Sequence, residues 1–140
     1  YNIVVDFTAF SNMKGNKEKM DSSQANWGLG NLGRIYNLHV AAGIPKEKIN
    51  LVIAVHGVAS RTFLTNEEYQ KKYKRDNPNL SIIKELNDAG VKFLLCGQSV
   101  TWMGMNKGML VPEAKLTLTA QTTITSYQMK GFAIMPMNND

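Results

Sequence analysis

The sequence predicts an α/β protein: a three-layer α/β/α sandwich with a mainly parallel sheet of about five strands, forming a single domain over residues 1–140. Three observations lead there. Short uninterrupted apolar runs recur along the chain, Ile3-Val4-Val5 and Leu51-Val52-Ile53-Ala54-Val55 being the clearest, and strands covered on both faces have that character. Helical stretches separate the runs, and a strand–helix–strand unit forces its two strands parallel. Finally, 44% hydrophobic and 19% charged residues in a chain of 140 suit a globular domain with a sizeable core.

Taken in order, Asn2 to Thr8 is the first strand, with Asp6 near its carboxyl end. Residues 9–27 form a polar loop rich in Ser, Asn, Lys and Gly, and a connection of that length is usually a functional lid or a disordered segment. Gly28 to Ala42 is helical, because Leu29, Leu32, Ile35 and His39 recur at three- and four-residue spacing and share a face. Gly43 and Pro45 stop that helix. Ile49 to Val55 is the second strand, closed by His56-Gly57.

Thr65-Asn66-Glu67-Glu68 has the spacing of a capping box and opens a short helix through Tyr73. Asn77-Pro78 starts another, with Asn as the cap, Pro in the first turn, and Leu80, Ile83 and Leu86 as the apolar stripe. Gly90 ends it, and Val91 to Cys96 is the third strand. Gln98 to Pro112 reads as a loop with an unusual apolar load: Val100, Trp102, Met103, Met105, Met109 and Leu110. Lys115 to Thr119 alternates as a short strand, Ala120 to Lys130 is the last helix, and Phe132 to Met135 is a final strand.

The net charge of +5 comes partly from Lys71, Lys72, Lys74 and Arg75. Glu67, Glu68 and Asp76 flank that run and no binding motif accompanies it, so it is a solvated helix face and nucleic acid is not an expected partner. No apolar run approaches the roughly 20 residues that cross a bilayer, so no membrane insertion is expected. A single cysteine argues against an internal disulfide and a zinc site built on several thiolates, and no metal or organic cofactor is expected. The chain opens on Tyr1 in strand-like sequence without an initiator methionine, which points to removal of N-terminal material and leaves export open.

Chemistry concentrates where strands end, since the carboxyl edge of a parallel sheet is where ligands bind. Cys96 closes the third strand at Cys96-Gly97-Gln98-Ser99, His56 closes the second and Asp6 the first. A free thiol has a pKa of about 8.5, and a helix N-terminus or an imidazolium would lower it toward the nucleophilic thiolate. His56 would be that imidazolium or a base, with Asp6 setting its tautomer. Backbone amides at Gly97, with Gln98 and Ser99, would hold a sulfur anion. The alternatives are a packed, inert Cys96, a turn role for His56 and a capping role for Asp6. Gly28-Leu29-Gly30-Asn31, with Gly33, matches the letters of a dinucleotide fingerprint, but a long polar stretch separates it from its strand. Gly30 and Asn31 are therefore read as a helix start able to hold an anion.

Together, Gly28-Leu29-Gly30-Asn31 leading to Asn37-Leu38-His39, Val55-His56-Gly57, Asp76-Asn77-Pro78-Asn79-Leu80 and Cys96-Gly97-Gln98-Ser99 resemble the DsrE/DsrF-like family, over Asp6 to about Pro136. The resemblance implies a three-layer domain that assembles as trimers or hexamers in the cytoplasm. It also implies a sulfur carrier that holds a persulfide on Cys96, exchanging sulfur with donor and acceptor proteins and without an independent catalytic cycle. The Cys-Gly-Gln-Ser sequence departs from the carriers that set this pattern. A non-catalytic oligomeric binding module is the alternative, and a Cys-His-Asp hydrolase is a third reading.

Overall fold

Runs of Val, Ile and Leu place apolar side chains on both sides of a strand, so each such strand needs cover above and below. In the computed structural model, which describes residues 1–10 and 21–138, five strands meet that need in one parallel sheet. They are β1 (Asn2–Phe7), β2 (Asn50–Val55), β3 (Lys92–Cys96), β4 (Ala114–Thr117) and β5 (Ala133–Met137), in the order β4-β3-β2-β1-β5. The residues expected to form a lid are in part, at 11–20, outside the described residues.

The helices are α1 (Trp27–Ala41), α2 (Asn66–Tyr73), α3 (Leu80–Asp88), α4 (Gly97–Trp102) and α5 (Ala120–Met129). Strands β1, β2, β3 and β4 step one way across the sheet, and α1, α3 and α4 bury residues in the core on one face. The chain then runs back from β4 to β5 at the far edge. A right-handed crossover in that reversed direction has to pass over the opposite face. That is where α5 packs, against Val4, Val52 and Ala54. The larger core on the first face holds Phe7, Phe63, Phe93, Leu29, Leu32 and Tyr69, each about 2 kcal/mol of transfer free energy by area.

Local chemistry ends most helices where the sequence places the ends. Thr65 Oγ1 accepts the Glu68 amide at 3.3 Å and starts α2, and Gly43, Gly90 and Gly131 take positive φ beyond α1, α3 and α5. Three expectations need correction. Residues 98–102 are not loop but α4, a helix of six residues too short to show a period. The apolar load beyond them is also less exposed than a loop would leave it. Val100 and Leu110 are buried, Met105 and Met109 pack against the core, and Trp102 alone of the six is 83% exposed. Helix α3 starts at Leu80 instead of Pro78: Asn77 Oδ1 accepts the Asn79 amide at 2.9 Å, but Pro78 and Asn79 form a turn ahead of the helix. The Asn77 side-chain nitrogen also donates to the Thr62 and Leu64 carbonyls at 3.0 and 2.6 Å.

Candidate functional site around Cys96

Side chains alternate across a strand, so residues two apart share a face. Val4, Ala54 and Leu94 lie on the α5 face of the sheet. Asp6, His56 and Cys96 each come two residues later, at the carboxyl ends of the three adjacent strands β1, β2 and β3. Val55 pairs with Leu95 and Asp6 pairs with Ala54, so the three strand ends are level. Three residues far apart in sequence thus share one rim and one face.

Cys96 has a further neighbour that no sequence pattern pointed to. The connection after β3 leads into α4 on one face, and the connection after β4 leads into α5 on the other. Two adjacent strands whose connections part in this way open a crevice at their carboxyl ends. Cys96 pairs with Thr117 across that division. Its sulfur caps α4 by accepting the Ser99 amide at 3.5 Å, and the Ala120 amide, first in α5, faces it closely enough to lower its pKa. Thr119 fixes the start of α5 by accepting the Thr122 amide at 3.0 Å. A Thr-x-x-Thr ahead of a helix was the available signal, and it names a cap without naming what the cap faces.

Burial, at 4% exposure, pushes the Cys96 thiol up. The Ser99 hydroxyl and amide and the Ala120 and Gln98 amides pull it down and prevail, so the thiol lies below its ordinary value. Ser99 is itself positioned from outside: its Oγ accepts the Gly57 amide at 3.0 Å, which leaves the hydroxyl proton for the sulfur. Gly97 has to lack a side chain, because a Cβ there would stand 2.6 Å from the Thr117 carbonyl oxygen. Beside it opens a shallow groove of about 590 Å³, lined by Gly97, Gln98, Thr101, Trp102, Thr117 and Leu118. No titratable side chain lines it, and Leu118 is 75% exposed.

His56 Nε2 lies 2.6 Å from Asp6 Oδ1, with the two side chains 32% and 37% exposed. His56 is not among the groups that lower the thiol. Gly30 and Asn31 sit in the second turn of α1, away from its free amide end, where Asn26 Oδ1 already takes the Gly28 amide at 2.9 Å. Glycine at 28 serves packing, since a Cβ would come within 2.7 Å of the Phe7 ring. His39 Nδ1 is 2.8 Å from the Ile35 carbonyl oxygen within α1. Among the described residues no group of three or more His, Cys, Asp or Glu side chains is placed to hold a metal ion. No helix among them is long and apolar enough to cross a membrane.

A family model described as DsrE/DsrF-like family matches residues 15–137. Among solved structures, the protein of unknown function MTH1491 from Methanobacterium thermoautotrophicum matches over 96% of each chain, with a TM-score of 0.61 and 16% identity. At that identity the likeness concerns the fold alone. No curated protein matches the sequence.

Proposed function

Because this chain belongs to the DsrE/DsrF-like family, we propose that it is a sulfur carrier that holds a persulfide on Cys96. The Cys96 thiolate attacks the terminal sulfur of a donor persulfide, the donor leaves as a thiolate, and Cys96 carries the sulfur until an acceptor thiolate removes it. Such exchange runs through thiolates and requires neither metal nor organic cofactor. The observation that carries the proposal is the convergence of α4 and α5 on the sulfur: the Ser99 amide donates to it at 3.5 Å, and the Gln98 and Ala120 amides face it closely enough to lower its pKa. Those donors favour the anion over the neutral thiol, and the anion is both the attacking and the leaving form.

Incubation with a sulfane-sulfur donor is expected to add about 32 Da, one sulfur atom, to the intact protein, and Cys96→Ser to abolish the gain. Alkylation of the wild type is expected to titrate with a midpoint below that of the same thiol in the unfolded chain. The sign for stability follows: ionisation in the fold below the unfolded pKa adds stability as pH rises through that window, and Cys96→Ser removes the increment. A folded protein that takes up no sulfur would overturn the proposal. The low exposure of Cys96 then favours a non-catalytic binding module.

The same reading makes the protein a homo-oligomer, a trimer or a pair of trimers, that meets separate donor and acceptor proteins. Trp102 and Leu118, both largely exposed beside the Cys96 groove, support an interface there. Light scattering at micromolar concentration is expected to give a multiple of the chain mass, and a monomer mass would refute it.

A further inference from the structure

We infer that Asp6 and His56 form the base that takes the proton from an incoming acceptor thiol as sulfur leaves Cys96; this rests on the carrier reading above. A carboxylate only accepts hydrogen bonds, so the 2.6 Å contact places the ring proton on His56 Nε2 and leaves Nδ1 with its lone pair. The pair is built into the rim. The His56 amide donates to the Phe7 carbonyl at 3.1 Å, and the next residue, Gly57 at φ 62, donates to Ser99 at 3.0 Å. The turn that carries the imidazole is therefore tied to β1 on one side and to the Cys96 cradle on the other.

Accessibility separates the two roles. Cys96 is buried, whereas His56 and Asp6 keep about a third of their side-chain surface in solvent. An ion pair that exposed contributes little to stability, so folding alone does not account for it. His56 follows Val55, which pairs with Leu95, so the base stands on the neighbouring strand at the level of the departing thiol and is more open than it, and the acceptor is taken to approach from that side. The charged and titratable groups on the elements around it are few. Beyond Asp6 and Cys96, the 3₁₀ segment Gly57–Phe63 brings Arg61, and neither α4 nor the first turn of α5 brings any.

In the step, the acceptor S–H bond breaks and its proton passes to His56 Nδ1, giving an imidazolium held by the Asp6 carboxylate. The acceptor sulfur forms a bond to the terminal sulfur on Cys96, and the bond between Cys96 Sγ and that sulfur breaks. Cys96 leaves as a thiolate into the Ser99, Gln98 and Ala120 donors. No net oxidation occurs, because one sulfur–sulfur bond replaces another.

The test uses the persulfide-loaded protein, freed of donor, with 2-mercaptoethanol as acceptor, a thiol largely protonated at neutral pH. His56→Gln is expected to slow loss of the added sulfur about 100-fold at pH near 7, with the gap closing by about pH 9.5 as the acceptor ionises by itself. Asp6→Asn is expected to show the same pH signature at smaller amplitude, and it serves alone if the His56 variant fails to fold. The Cys96 alkylation midpoint stays as in the wild type, since His56 is not among the groups that lower the thiol. Equal rates, or a uniform deficit at every pH, overturn the inference. A second arm replaces the persulfide with a 2-nitro-5-thiobenzoate mixed disulfide on Cys96. If the persulfide never loads but the mixed disulfide shows the pH-dependent gap, the carrier reading fails and the base stands. A folded protein that accepts neither load overturns both.

Discussion

Replacing Asn77 with alanine is expected to lower the unfolding free energy by about 3 kcal/mol, one of the largest losses any single side chain here would produce. Asn77 is 5% exposed, and its side chain ties the segment Thr62–Leu64 to Asn79. Its amide nitrogen donates to the Thr62 and Leu64 carbonyls at 3.0 and 2.6 Å, and its oxygen accepts the Asn79 amide and side chain at 2.9 and 2.8 Å. Asn79 Oδ1 in turn accepts the Asn26 amide at 2.6 Å, and Asn26 donates to the Ala9 carbonyl at 2.6 Å. The network thus clamps the exit of β1, the start of α1 and the segment that follows His56. Alanine would leave two carbonyls and two donor groups unpaired in a site that excludes water, where each costs about 1–3 kcal/mol and the terms overlap. Urea unfolding with an unchanged slope and a loss under about 1 kcal/mol would show that water re-enters and satisfies these groups.

Gly97→Ala is expected to have the largest effect on chemistry. Its Cβ would lie 2.6 Å from the Thr117 oxygen and 3.4 Å from the Leu118 oxygen, and both neighbours are backbone. Neither can rotate aside, so α4 and β4 have to separate, at about 1–3 kcal/mol for overpacking. The cost matters less than its direction. The Gln98 and Ser99 donors come from α4 and the Ala120 donor from the element that follows β4. Parting them withdraws hydrogen bonds from the thiolate and leaves burial unopposed, so the alkylation midpoint should rise above that of the wild type. Gly30→Ala is the control: open space surrounds that position, and alanine within a helix should stabilise by about 0.5–1 kcal/mol without moving the thiol. An unmoved alkylation profile in Gly97→Ala would mean that the convergence of α4 and α5 does not set the thiol's acidity.

The stretch Asp76-Asn77-Pro78-Asn79-Leu80 therefore has more physical content than its letters suggest. Asn followed by Pro is the ordinary signature of a helix start, and the sequence predicts one there. Asn77 Oδ1 does accept the Asn79 amide, but the side-chain nitrogen also serves buried carbonyls on another segment, Thr62 and Leu64, which no local pattern reveals. A similar gap hid α4. Six residues complete fewer than two turns, so the periodicity that exposes α1 and α3 has no room to appear.

The sequence by itself determined the class of fold, because strands covered on both faces and helices covered on one have different hydrophobic periods. It also determined that Asp6, His56 and Cys96 each stand at a strand's carboxyl end, since in a parallel sheet all those ends share one edge. Strand order was decided only in three dimensions. The sequence is compatible with several orders, and β4-β3-β2-β1-β5 is what brings the three residues onto neighbouring strands. The tertiary structure alone also decided the character of the thiol. Its acidity depends on Ala120, 24 positions along the chain, and on a hydroxyl oriented by Gly57 on another strand's exit. Hydrogen bonds reach about 3 Å whatever the sequence separation, so a site made of amide groups leaves almost no trace in residue identities.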